Sequence, residues 1–596
     1  MITKMSRIVV AATDASKEKT LNTLREWGLL HILPLQTPEG EKVTAAKTAF
    51  ENTKKVFEAI SYRKGHVPEH AIDEHNLLAQ INGIMQSRKE AEEALALSSA
   101  ELKRLEAFGE FDPHKVRKLI KHDITIKLYS ANEKTFKNFG DDIVIKVFKK
   151  ENDKIFFAAI SKKPIELPYN EILLPSKPVK EIKQDVENAN KIIEECKKKL
   201  KDYASKKKKI GELVVEASDE LAFTSAEAGM RSEIGVCFIQ GYTPKEKLES
   251  LKELAAKNGW GISAEEPTEE EAVPTLLKHK KAVKPIDALY NVIGISPGYR
   301  EIDVSPVFLC FFSIFFAMIV GDTVYGLLFA GITFYASKKF KDAPRYPFQF
   351  LYLMSGCTIV WGILNASYLG LNTEAGKPMM VPAVLDICRA SWSPQGLKNF
   401  AAWIRDENNI KFLCFVLAVI HLTIAHIWNA YTNRDSKATI IIQMGWICTT
   451  WMMFFLAGKM IVNRPFPDEA YYLGAGGIVL VLAGTIMKAD WFNVGMFPLN
   501  LVNNLVDIIS YIRLFAVGMA GYSVANAFNG MVAPLFGSIP GSAAAALILL
   551  LVHSLNIALA GMGVAVHAVR LNTLEFSSNV GIQWSGSPYT PFRKSV

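Results

Sequence analysis

A chain of 596 residues with 49% hydrophobic content is too long for one domain, and the apolar share is unevenly placed: Lys and Glu dominate to about Ser296, apolar residues beyond Val304. A formal net charge of +8 is modest for this length and the lysine runs fall in helical patterns, so nucleic acid is not an expected partner. The seven cysteines have no CxxC spacing and most fall in the apolar half, which gives neither a metal site nor a disulfide framework.

Residues 1–5 lack an apolar signal region, which predicts that the polar half stays on the side of synthesis, in the cytoplasm. Residues 7–12 form a β-branched run, followed by an amphipathic helix near 17–27 and a second apolar run at 29–35. The same order returns at 235–240, 244–258 and 260–263, so the two ends of the polar half are expected to pair into one lobe. Between them lie long charged helices at 41–62 and 71–108, strand-like runs at 124–129, 142–148 and 154–161, and a helix over 178–224. This order predicts an α+β dumbbell: a proximal lobe of 1–40 and 226–296, an antiparallel coiled coil of 41–110 and 178–225, and a distal lobe of 111–177. The lysine runs 197–199 and 206–209 fit a solvated helix face better than a docking patch for an acidic partner. No Gly-x-x-x-x-Gly-Lys-Ser/Thr loop, catalytic triad or zinc pattern occurs, so the chain is expected to be non-catalytic and without a cofactor.

The second half, 297–596, is expected to be α-helical and membrane-embedded. About eight spans are predicted near 304–320, 324–337, 348–369, 410–431, 439–462, 471–487, 499–536 and 542–580, the last two longer than a bilayer requires and therefore tilted. With the N-terminus cytoplasmic, Lys338, Lys339, Lys341, Arg345, the turn 434–437, Lys488, Arg593 and Lys594 all fall on the cytoplasmic side, as does the C-terminus. Lys377, Arg389, Lys398 and Arg405, in the external segment 372–409, break that pattern. Asp322, in the turn between the first two spans, suits a capping role better than an ion ligand. His421 and His426 are five residues apart and share no helix face, which disfavours a metal pair.

The last two spans each carry an arginine, Arg513 and Arg570. An arginine at the centre of a membrane helix costs roughly 2.5–3.5 kcal/mol on insertion scales, so such residues face a protein interior or a wet path. Stepping back from Arg570 by threes and fours gives His567, Gly563, Ala560, Asn556 and His553 on one stripe. In the preceding span Asn503, Asp507, Ser510, Arg513, Ala520 and Ser523 fall roughly on one side. Such stripes serve either an ion path or close helix packing, and packing requires no charge. Candidate path residues are Ser510, Ser523, His553, Ser554, Asn556 and His567, each of which can equally be a structural hydrogen bonder. Glu575 either binds protons at the cytoplasmic mouth or pairs with Arg570 or Arg593. Neither arginine shows an acidic partner in the chain at its own depth.

The segment 510–516 followed by 567–570 resembles the closing helices of the membrane subunit called a, or I, of V-type and archaeal-type rotary ATPases. A second block, from Pro274-Thr275-Leu276-Leu277 through Tyr299-Arg300-Glu301-Ile302-Asp303 to Gly321-Asp322-Thr323-Val324-Tyr325-Gly326, is similar to that family's junction between soluble and membrane halves. The resemblance implies a stator subunit facing a rotor ring of membrane hairpins, each carrying one carboxylate. Arg513, with Arg570, would displace the ion from that carboxylate and bar a leak between two half-channels for H+ or Na+. It further implies peripheral-stalk subunits on the soluble lobes and a separate catalytic ATPase sector. Eukaryotic relatives place a histidine where Gly521 stands and a glutamate where Ala560 stands, so the chain resembles the prokaryotic form. Two other readings compete. A secondary transporter with a coiled-coil regulatory domain would show an internal repeat and a mid-membrane carboxylate, and a membrane-anchored scaffold would leave the arginine stripe without a role.

Overall fold

The computed structural model describes residues 2–60, 77–120, 122, 124–133, 136, 143–151, 153–341, 343–372, 377, 379–381, 386, 388 and 393–594. The chain divides into two compact units: one of 10–240, 259–261 and 592–596, the other of 1–9, 241–258 and 262–591.

In chain order the first element is β1 (Met5–Thr13), whose Ser6, Ile8, Val10 and Ala12 alternate inward as a period-two pattern requires. It is followed by α1 (Lys17–Trp27) and β2 (His31–Leu33), then α2 (Glu41–Ala59), α3 (Leu77–Leu105) and α4 (Pro113–Ile120). Strands β3 (Thr125–Asn132), β4 (Val144–Glu151), β5 (Lys154–Ser161) and β6 (Asn170–Ile172) form an antiparallel sheet of order β4-β5-β3-β6. Tyr129, Ile155, Phe157 and Ala159 build its core. Three of these strands match the expected runs; β6 is an addition, too short to announce itself by alternation. Then come α5 (Val179–Asp202), α6 (Lys207–Ala228), β7 (Arg231–Glu233) and β8 (Val236–Pro244), followed by α7 (Leu248–Asn258) and β9 (Gly261–Glu265). The N-terminal sheet runs β2-β8-β1-β9, with β7 on β8.

Helix α3 packs along α5, and α2 along α6. Val179, Ile182, Ala189, Ile193, Cys196 and Leu200 recur at near-heptad spacing and form the buried seam of α5. The single helix expected over 178–224 is two helices, separated by a 3-10 turn at Tyr203–Lys206. The break falls where the partner changes: Leu200, Ala204 and Ile210 share a core with Val56 and Ile60 of one neighbour and Leu77 and Ile81 of the other. Of the expected helices 41–62 and 71–108, residues 61–62 and 71–76 lie outside the described residues.

In the second unit, α8 (Ile286–Ile293) precedes α9 (Ser305–Val320), α10 (Thr323–Lys339), α11 (Arg345–Asn365), α12 (Gln395–Ile404), α13 (Glu407–Thr432), α14 (Lys437–Val462) and α15 (Glu469–Met487). The last helices are α16 (Trp491–Ser510), α17 (Ile512–Val532), α18 (Ile539–Gly563) and α19 (Ser577–Val580). Among the described residues six stretches are long and apolar enough to cross a membrane: α11, α13, α14, α15, Trp491–Gly537 and Ile539–Val580. The other two of the eight expected spans are α9 and α10, 16 and 17 residues long and bent by 119° where they meet. Each alone is roughly 24–26 Å, about a turn short of a bilayer core at 1.5 Å per residue. Gly321, at φ 65°, ends α9 in a left-handed cap that a side chain would strain.

Helix α9 is the most enclosed, with Phe308, Phe312 and Phe315 inside a core shared with α13, α14, α16, α17 and the end of α18. Beyond α19 the chain turns back: Ser585 bridges Ser296, Pro588 bridges Thr275, and Gln583 N donates to Glu301 Oε1 at 2.8 Å. Trp584 packs on Tyr290 and Phe308. The start of α9 and the end of α19 therefore lie at one end of the helical unit.

Candidate functional site

Two local departures from regular helix build the site. Between α16 and α17 the chain tightens into a turn at Tyr511, with Leu514 N bonding back to Tyr511 O, and Arg513 follows immediately. After α18 the backbone widens into π-helical turns at Val564–Ala568 and Leu571–Phe576, on either side of Arg570. A wider turn makes i and i+5 neighbours, where a regular helix pairs i with i+3 and i+4. Glu575 is thereby carried onto Arg570: Oε1 lies 3.4 Å from Arg570 Nε and 3.7 Å from Arg513 Nη2.

Of the two roles expected for Glu575, pairing with Arg570 is the one the structure shows, and the expectation that the arginines lack an acidic partner at their own depth is thereby corrected. Both converge on one carboxylate oxygen, and Glu575 is only 5% exposed while Arg513 is 25% and Arg570 52%. Burying that carboxylate is tolerable because two guanidiniums face it. Its second oxygen, Oε2, is buried without a hydrogen-bond partner among the described residues. Asp507 approaches from α16 and is joined to Glu575 through Asn579, whose Nδ2 donates to Glu575 O at 2.7 Å and to Asp507 Oδ2 at 3.4 Å. Asn429 Nδ2 holds Asn579 in turn. Asp507, Ser510, Arg570, Glu575, Ser578 and Gln583 line an open pocket of about 620 Å³. His567, on the intervening π-helical turn, is half-buried, and its Nδ1 has no partner among the described residues.

The remaining candidates stand apart. Asn556 donates to Gly521 O (3.0 Å) and to Tyr325 Oη (3.1 Å), and that hydroxyl also meets His553 Nδ1 (2.8 Å). This polar knot ties α18 to α10 and α17, roughly 20 Å from Arg570 at 1.5 Å per residue. Gly563 packs against Val517 and Ile319, where a Cβ would come within 2.8 Å of Val517 Cγ1. Ser554 is exposed and bonds its own helix at Leu550 O, and Ser523 is exposed. The expected stripe thus holds a packing face with one hydrogen-bonded knot at His553 and Asn556. Asp322 caps α10 through Val324 N and Tyr325 N, and its other oxygen accepts from Ser367 Oγ and Leu369 N. It is fully engaged as a turn residue.

A second, smaller pocket of about 170 Å³ opens beside α17, lined by Gly321, Ser367, Arg405, Gly518, Met519 and Tyr522 among others. Arg405, an exception to the charge pattern, is held by both oxygens of Asp386 and by Leu364 O. Arg389 lies outside the described residues. Sequence reasoning missed Asn579 and this pocket. The first was detectable as the residue one turn beyond Glu575; the second is made by residues of separate elements and leaves no local pattern.

No protein-family model matches the chain. It is 28% identical, over a 637-residue alignment covering all of both chains, to the V-type ATP synthase subunit I of Borreliella burgdorferi. It is 28% identical, again over the whole of both, to V-type ATP synthase subunit I 1 of Treponema pallidum. The A-type ATP synthase subunit I of Methanocaldococcus jannaschii is 26% identical over 70% of this chain and 63% of its own length. Among solved structures, the cytoplasmic N-terminal domain of subunit I, homolog of subunit a, of V-ATPase aligns over 44% of this chain and 99% of its own, at 14% identity and a TM-score of 0.22. Over its whole length the chain is thus similar to subunit I of V-type ATP synthases, and over part of its length to subunit I of an A-type ATP synthase.

Proposed function

We propose that the chain is the stator membrane subunit of a V/A-type rotary ATPase, non-catalytic itself, and that Arg513 with Arg570 displaces the ion from each carboxylate of a passing rotor ring. The observation that carries this is the convergence of both arginines on Glu575 beside a polar pocket, with a separate pocket on the α17 residues beyond Arg513. An adjacent guanidinium favours the ionised form of a ring carboxylate in a low-dielectric setting. Glu575 offsets one of the two guanidinium charges, so that a ring carboxylate arriving beside Arg513 supplies the second negative charge and brings the cluster to neutrality. The pocket at Asp507 and Ser510 serves as one half-channel and that at Ser367 and Tyr522 as the other. One charge moved across 100 mV corresponds to about 2.3 kcal/mol, which ATP hydrolysis in a separate sector supplies as torque. The paired helices of the soluble unit act as the stator arm that resists it, with peripheral-stalk subunits on the sheet-bearing lobes. Helices α9 and α10 make a crossing each, for eight in all, with both chain ends cytoplasmic; the bend at Asp322 bonding to the loop after α11 supports this.

Replacing Arg513 by alanine is expected to abolish ATP-driven ion uptake while the subunit still assembles; uptake at the wild-type rate would overturn the mechanism. A second reading, a secondary transporter, gains from Glu575, an in-chain carboxylate at the depth of the arginines. Gentle solubilisation and capture of the chain separates the two: a ring-forming hairpin protein and nucleotide-binding subunits co-purify with a stator, and a transporter purifies without them.

A further inference from the structure

The turn that presents Arg513 is fastened by a residue with no role in the site so far. His421 of α13 is fully buried, its imidazole stacked between Phe311 (ring centroids 4.0 Å apart, planes at 17°) and Phe576 (4.2 Å, 7°). Its Nδ1 lies 2.8 Å from the hydroxyl of Tyr511, also fully buried, and Nε2 has no partner among the described residues. Three elements meet on this one ring. Phe311 belongs to α9, Tyr511 is the turn residue two before Arg513, and Phe576 directly follows Glu575.

A phenyl ring would fill this stack without burying an unpartnered nitrogen, so the imidazole has to be accounted for by what Nδ1 does. A neutral ring carries one N–H and one lone pair. With the proton on Nδ1 it donates to the Tyr511 oxygen and leaves a bare lone pair at Nε2. In the other tautomer Tyr511 donates to Nδ1 and a buried N–H at Nε2 is orphaned, whereas in the first it is the buried Tyr511 O–H that has no acceptor among the described residues. Either way one hydrogen bond fixes the only polar side-chain atom of the turn residue, while Phe576 packs beside the backbone next to Glu575.

We infer that His421 is a positioning residue for the arginine pair: through Tyr511 and Phe576 it sets Arg513 and Glu575 against each other, so that Arg513 meets the ring carboxylate in the correct register. The inference rests on the stator reading above.

Its test uses the assembled complex in membrane vesicles, comparing ATP hydrolysis with ATP-driven charge uptake read by a membrane-potential dye, which presumes neither H+ nor Na+. His421→Phe keeps the stack and loses the hydrogen bond; Tyr511→Phe removes one oxygen. Each is expected to lower uptake per ATP hydrolysed about tenfold with hydrolysis and the amount of assembled chain unchanged, and the double variant is expected to be no worse than either single. Wild-type uptake in Tyr511→Phe, losses that multiply in the double variant, or failure of Tyr511→Phe to accumulate would each overturn the inference, the last by making the contact a folding requirement. If His421→Phe alone fails to accumulate, Tyr511→Phe decides. Arg513→Ala, run in parallel, separates the two readings: retained uptake there sinks the stator mechanism, whereas lost uptake there with a normal Tyr511→Phe sinks only the positioning role.

Discussion

At the scale of single residues, charges in this chain are placed against partners that sequence distance hides. His279 is an example outside the membrane-spanning helices. Its side chain is 1% exposed, with Nδ1 2.6 Å from Asp287 in the first turn of α8 and Nε2 3.4 Å from Asp303, whose Oδ1 also caps Ser305 at the start of α9. Burial alone lowers a histidine pKa, but here the hydrogen bonds to Asp287 and Asp303 outweigh it and raise His279 to about 9. A folded value above the ordinary 6.5 means that the stabilisation is whole below pH 6.5 and is lost as pH rises through about 9. The shift corresponds to at most about 3 kcal/mol. Thermal unfolding of the solubilised chain is expected to show His279→Gln well below wild type at pH 6, with the gap closing by pH 9.5; a gap independent of pH would show that the ring acts by packing alone. None of this was legible in the sequence, because Asp303 lies 24 residues away. Arg513 and Arg570 were legible because charge in an apolar run is conspicuous. A pairing of Glu575 with Arg570 could be named as one of two alternatives but not decided, because i+5 adjacency exists only where the helix widens into π turns, and the convergence of Arg513 on the same carboxylate was not legible at all.

At the scale of elements, apolar length and polar punctuation located the membrane stretches, including the Gly321-Asp322 bend, while the faces by which helices meet were left open. Helices α14 and α15 pack through glycines. A Cβ on Gly477 would meet Cys448 Cβ, Gly445 O and Thr449 Cγ2, all at 2.9 Å, and one on Gly445 would sit 2.7 Å from Val481 N. Gly476, one residue along, has nothing within 4 Å and is exposed. Without water to drive apolar association, such close backbone approach is what holds two membrane helices together. Gly477→Val is therefore expected to cost about 2–3 kcal/mol and lower the amount of folded chain, whereas Gly476→Val should stay within about 0.5 kcal/mol of wild type. Thermal melts of the two purified variants check this; equal losses would mean that valine is poorly tolerated anywhere on α15 and that the glycine face is incidental. In the first unit, the break at Tyr203–Lys206 was equally hidden, since it answers to a change of partner that no periodicity within α5 and α6 records.

At the scale of the whole molecule, the question is how many times the chain crosses the bilayer, which apolar length alone leaves ambiguous because α9 and α10 are individually short. The C-terminal tail narrows it. Residues 583–589 return to the segment 275–301 through Gln583, Ser585, Ser587 and Tyr589, so the chain enters and leaves its helical part at the same end. An even number of crossings follows, and the bent pair adds either none or two. With five of the six long apolar stretches before it, residue 536 belongs at the opposite end from both. Single cysteines at Lys281, Ser587 and Phe536, all exposed, can be introduced into a chain whose seven native cysteines are replaced, and then labelled in sealed vesicles with an impermeant maleimide. Lys281→Cys and Ser587→Cys are expected to react from one side and Phe536→Cys only from the other. If position 587 labelled together with 536, the number of crossings would be odd, the tail could not pair with 275–301 in the membrane, and the two pockets beside Arg513 would no longer open to opposite sides as a stator requires.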